Sequence, residues 1–158
     1  MDAALDRLAR RQHSLLAFWQ LQAAGWAKAV IWRAADSGKL IPLRRGVFRT
    51  AGSLETQWQA WMAAVLATQC TTVVSHLSAL AAAGFTVFPK PESIDLLRAG
   101  PQARMPGVTS HRTLWLPDGD RTTTRFVPMT TAERAFIDSC GALPEHLLGP
   151  ATTPCAGS

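Results

Sequence analysis

No stretch of this 158-residue chain approaches the ~20 apolar residues that span a bilayer. The longest candidate, Ala60 to Ala67, ends far short. The opening Met1-Asp2-Ala3-Ala4 lacks the basic-then-apolar pattern of a secretory signal. Cysteine is scarce and odd in number: Cys70, Cys140 and Cys155, with no CxxC spacing. That excludes a disulfide frame or a paired-cysteine zinc site, and points to reduced thiols in a cytoplasmic protein. Lysine is rarer than arginine, and none of Lys28, Lys39 and Lys90 lies two residues after an acid. The acids-plus-lysine pattern of a metal-dependent, restriction-type nuclease is therefore missing. His13, His76, His111 and His146 show no HxxxH or HxxE spacing, and no GxxxxGK[ST], GxGxxG or GxSxG run exists. The expectation is a non-enzyme with no cofactor and no metal.

What is present is 47% hydrophobic and 17% charged, enough to fold as one ordinary domain or two small ones. The net charge of +5 is unevenly placed. Residues 1–50 hold nine Lys/Arg against three acids, a net of +6, while residues 51–158 come to −1. A basic first third beside a neutral remainder suits a polyanionic partner, most simply nucleic acid, and equally suits a solubilising surface.

Leu5, Leu8, Ala9 and Gln12 keep helical spacing, with Asp2 and Asp6 early and arginines late, as the helix dipole favours. Ser14 can cap a second helix, Leu15 to Ala23, closed by Gly25. A third runs from Trp26 to about Ser37 and ends at Gly38. Two short strands follow around Arg44-Arg45-Gly46, with Pro42 fit only for an edge. This is the order of a winged helix-turn-helix over residues 1–50. On that plan Lys28, Ala29, Trp32, Arg33 and Asp36 share the outward arc of the third helix, and Ala27, Val30, Ile31, Ala34 and Ala35 pack inward. The candidate DNA-binding residues are Lys28, Trp32, Arg33, Lys39, Arg44, Arg45 and Arg49, the arginines at the ribbon tip reaching backbone or minor groove. Trp32 can touch a thymine methyl, or tuck into the core or a dimer partner.

Beyond residue 50, Leu54, Trp58, Trp61, Met62, Val65, Leu66 and Gln69 follow an a/d rhythm, with Ser53 as cap. A helix over 77–83 comes next, with Ser75 as its cap and His76 in its first turn. In Ser93 to Leu97, Ile94 and Leu96 face inward and Asp95 outward, and Val108 to His111 can pair with this strand. Arg125-Phe126-Val127 forms a third strand. Thr130 and Glu133 make a capping box for a last helix whose Ala132, Phe136 and Cys140 share a face. Residues 51–148 thus read as a small α+β domain of helices on a short antiparallel sheet. Residues 149–158 have too little apolar mass to order themselves.

The run Gln12-His13 … Leu21-Gln22-Ala23-Ala24-Gly25 … Val30-Ile31-Trp32-Arg33 … Ser37-Gly38-Lys39-Leu40 … Gly46-Val47-Phe48-Arg49 resembles the AbiEi-type antitoxin family of type IV toxin–antitoxin systems. So do Val74-Ser75-His76-Leu77-Ser78-Ala79, Gly107-Val108-Thr109-Ser110-His111-Arg112 and the segment Pro128 to Asp138. The resemblance covers about residues 3–148. It implies a winged-helix repressor of its own toxin–antitoxin operon, on double-stranded operator DNA, without a tight toxin complex. It also implies a shortened member, lacking the C-terminal Vsr-type or restriction-endonuclease-like domain of longer relatives. Ala27, Ala29, Trp32, Ala34 and Asp36 depart from the family's polar cap and arginine-rich third helix, which implies modest DNA affinity. Two other readings stand beside this one. In the first, the chain is a protein-interaction module or homodimer using Trp32. In the second, it is the DNA-targeting half of a nuclease-like protein with no activity of its own.

Overall fold

The computed structural model describes residues 3–68, 71–100, 104–141 and 143. The candidate features at Asp2, Gln69, Cys70, His146, Cys155 and the tail over 149–158 lie outside the described residues. Among the described residues the fold is mixed α+β, with six α-helices and two sheets. No helix among them is long and apolar enough to cross a membrane.

The first helix, α1 (Ala3–Arg11), buries Leu5 and Ala9 as its spacing requires. The expected second helix is split. Leu15–Ala17 is a strand, β1, and only Phe18–Ala23 is helical (α2). The cause is local and tertiary together. His13 and Ser14 adopt left-handed backbone at φ 56° and 66°, breaking the run from α1. Leu15, Leu16 and Ala17, all fully buried, then pair antiparallel with β3 (Val47–Thr50). A three-residue apolar run cannot be assigned to helix or strand by periodicity alone. Ser14 therefore caps nothing at Leu15. Instead the amide of Ala17 donates to Gln20 Oε1 at 2.9 Å, and Gln20 and Gln12 exchange two side-chain hydrogen bonds of 2.7 and 3.0 Å.

The third helix, α3 (Lys28–Asp36), is shorter than expected, with Ala27 at its N-cap and no side-chain cap bond. The hairpin of β2 (Leu40–Arg44) and β3 turns at Arg45-Gly46, Gly46 having φ 72°. Pro42 sits on the edge strand of a sheet ordered β1-β3-β2, three strands where a two-stranded ribbon was expected.

Alternation along this small sheet divides its side chains between two cores. Leu16 and Phe48 join Leu5, Leu21, Ile31 and Leu40 under α1–α3. Leu15, Ala17 and Val47 point the other way, into a cluster with Trp61, Met62 and Val65 of α4 (Gln57–Ala67). Helix α4 also contacts β4 (Thr72–Val74), β5 (Ile94–Ala99) and β8 (Val127–Thr130) of the second sheet. Lying between two sheets, it is buried over most of its circumference, including every residue from Trp61 to Leu66, rather than along one stripe. Apolar packing thus runs continuously across position 50. The cap is Thr56, whose Oγ1 accepts from the Gln59 amide at 3.1 Å. Ser53 instead bonds the Thr50 carbonyl, and Leu54 lies outside the helix, 84% exposed.

The second sheet has the order β6-β5-β4-β8-β7, with β6 at Val108–Thr113 and β7 at Arg121–Thr124. It is mixed, not antiparallel: β4–β8 and β5–β6 are parallel, β4–β5 and β7–β8 antiparallel. The 94–99 and 108–113 strands do pair, Ile94 opposite Val108. The intervening stretch is shorter than the dozen or so residues of most parallel connections, so the sequence favoured the wrong direction. Asp95, expected to face solvent, is buried against α5 (His76–Ala82). Arg125 and Phe126 are not strand. They form the two-residue β7–β8 turn at φ 47° and 67°, the positive values that tight hairpins demand. In α6 (Ala132–Ser139) the cap is Thr131, not Thr130, and the fully buried side chains are Ala135 and Ser139. Ala132, Phe136 and Cys140 are only half-buried.

Candidate nucleic-acid interface and a histidine cluster

Helix α3 buries only Ile31. Its expected outward arc is exposed throughout, from Lys28 and Ala29 through Trp32 and Arg33 to Asp36. Two expected inward residues are not inward: Val30 is 42% exposed, and Ala27 precedes the helix. Trp32 is 53% exposed and rests its ring on Phe18 and Phe48, at centroid distances of 5.9 and 6.1 Å. It borders a shallow groove of about 410 Å³ whose opposite side is the β2–β3 turn with Arg44 and Arg45.

Of the candidate cations, Lys28, Arg33, Lys39 and Arg45 are exposed and make no ion pair among the described residues. The other two are committed elsewhere. Arg44 is half-buried and donates through Nη1 to the Pro106 carbonyl at 3.0 Å, and burial pushes its guanidinium below the usual value. Arg49 pairs with Glu55 at 3.0 Å and donates to the Ser53 carbonyl. The sequence gives no sign of this commitment, since Glu55 lies six residues away in a loop.

A second constellation joins residues that sequence reasoning treated separately. Ser75 stands at the N-cap of α5 but makes no side-chain cap bond. Its fully buried hydroxyl meets Nδ1 of His76 at 2.9 Å, a contact between chain neighbours that the left-handed backbone of His76 (φ 48°) permits. The His76 ring stacks on His111 at 3.6 Å, 17° from parallel. His111 Nε2 in turn lies 2.9 Å from Asp95 Oδ1. The second carboxylate oxygen accepts from the hydroxyl and amide of Ser78, at 3.2 and 3.4 Å, so an acid on β5 takes the capping role that Ser75 leaves.

Burial holds the His76 imidazole below its ordinary value, and neighbouring His111 adds to this. Asp138 and Asp95 oppose the shift, while Arg134 reinforces it. Arg134 is itself gripped by Asp138 at 2.9 Å and Asp120 at 2.7 Å, bonds that raise its pKa. Residues 74–79, 107–112 and 128–138 thus meet around His76, His111 and the Arg134–Asp138 pair.

Stacked imidazoles direct their in-plane lone pairs along parallel planes, not to a common point, and Ser75 is sealed from solvent. The arrangement is suited to joining α5, β5 and β6. Among the described residues no three His, Cys, Asp or Glu side chains group to hold a metal ion. No protein-family model matches the chain, and no curated protein matches it.

Proposed function

We propose that the N-terminal unit works as a winged helix-turn-helix, with α3 in the major groove of duplex DNA and the β2–β3 turn on the flanking backbone. The chain would then be an operator-binding regulator of the AbiEi-antitoxin type, repressing its own toxin–antitoxin operon. One observation carries the reading. Lys28, Arg33, Lys39 and Arg45 stand exposed on α3, the turn after it and the hairpin, with no ion pair among the described residues, and Asp36 is the one acid in α3. Four such cations imply a slope of log affinity on log salt of about −3.6, or roughly a hundredfold loss between 50 and 200 mM. An electrophoretic shift of the chain with its own upstream DNA at those two concentrations tests this. A salt-independent shift, or none at low salt, removes the proposal.

The half-exposed Trp32 beside exposed Val30 favours a second reading, a partner or dimer surface on α3. Trp32→Arg separates the two. It strengthens DNA binding if α3 faces phosphate, and breaks an assembly if α3 faces protein.

A further inference from the structure

A cleft of about 560 Å³ opens where the β2–β3 hairpin meets the segment leading into β6. Leu43, Met105 and Pro106 form apolar walls, and Ala60 of α4 leaves the floor low. The polar lining among the described residues is Arg44, Arg45 and Arg104, with no carboxylate among them. Arg45 and Arg104 are exposed and make no ion pair among the described residues, and the Arg44–Pro106 bond ties one wall to the other. Ligand sites commonly have this size and this balance of apolar wall with a few convergent polar groups.

From this geometry we infer that the cleft binds a small organic anion with a flat apolar body, an aromatic carboxylate of one or two rings. Its occupancy opposes DNA binding by engaging Arg45. The carboxylate meets guanidinium forks whose planar donors match it in pairs, while the rings cover Leu43, Met105 and Pro106. A second groove, of about 480 Å³ and bounded by Phe85, Val87, Phe136 and Ile137, carries Glu133 in its lining. That carboxylate would turn an anion away. Charge, not shape, therefore tells the two grooves apart. The ligand site stands on the cleft alone; the antagonism rests on the DNA reading above.

The test is a calorimetric titration of the full chain with 2-naphthoate and with neutral 2-naphthamide, at matched ionic strength. Naphthoate should bind with a dissociation constant on the order of 1 mM or tighter. It should also bind at least tenfold better than the amide. Arg104→Gln, at an exposed position, should bring the two within about threefold of each other. Ala60→Phe should fill the floor and abolish naphthoate binding. Equal affinity for acid and amide, or a preference untouched by Arg104→Gln, overturns the site.

Adding naphthoate to the DNA complex should raise the apparent DNA dissociation constant severalfold in the parent chain and leave it unchanged in Arg104→Gln. Binding of naphthoate with no effect on bound DNA overturns the antagonism. A chain that shifts no DNA at low salt sinks the DNA reading, and the acid–amide comparison still decides the cleft.

Discussion

The two ends of the molecule use charge in opposite ways. Around α3 and the β2–β3 hairpin, four cations are left exposed with no ion pair among the described residues. Around α5 and α6, charge is turned inward: Arg134 is shared between Asp120 and Asp138, and Asp95 between His111 and α5. Exposed single charges contribute little to folding, whereas half-buried linked ones become costly the moment one partner is removed. The first end is therefore free to change without loss of fold and can be spent on a ligand. The second is structural.

Breaking the larger half of that contrast should give the largest effect. The Arg134 side chain is 19% exposed, with Asp138 at 15%. Arg134→Ala leaves Asp138 and the partly exposed Asp120 without their shared cation and should cost about 2 kcal/mol. A lowered urea midpoint at unchanged slope checks it. Lys28→Ala in the same assay should stay within about 0.5 kcal/mol. Next comes Arg45→Ala, which should leave the midpoint alone but weaken DNA binding about tenfold and reduce the salt slope by about one. A stability loss there with DNA binding intact would reverse the contrast. Smaller still is Arg49→Ala. Its partner Glu55 is 75% exposed, so the ion pair itself is worth little. Loss of the buried arginine stem should cost about 1 kcal/mol and change DNA affinity less than twofold. A tenfold loss of DNA binding would put Arg49 back on the interface.

How far the sequence could be read follows the range of the forces involved. Helices α1 and α3, the hairpin with its edge proline, and the outward arc of Lys28, Trp32 and Arg33 follow from periodicity and turn chemistry, which are local. What escaped depends on distant partners. Leu15–Ala17 becomes a strand because β3 lies thirty residues on, and β5–β6 run parallel because of a return that residue spacing does not encode. Helix α4 reads as amphipathic but is buried nearly all round, because two sheets sandwich it. Asp95 shows the same limit at the level of one side chain. Alternation sends it outward, yet the unmet amides at the start of α5 draw it in. Arg44 and Arg49 could be recognised as basic but not as engaged, since Pro106 and Glu55 make that decision.

The histidine stack offers the finest test of the inward-turned half, because burial of one of its rings gives the expected pH dependence a sign. His76 is held below its ordinary value of 6.5, first by burial and then by His111, against the pull of Asp138 and Asp95. The unfolded chain therefore takes up this proton more readily than the folded one. Stability from this group is complete above about pH 6.5, and declines as the pH falls through that value towards the lowered folded-state value. The urea midpoint should accordingly be lower at pH 5 than at pH 7.5. His76→Asn is the informative variant, since asparagine tolerates the left-handed backbone at φ 48° while removing the titrating ring. It should flatten that decline even if it lowers stability at both pH values. An undiminished acid sensitivity in His76→Asn would assign the effect to other groups and leave the stack a matter of packing alone.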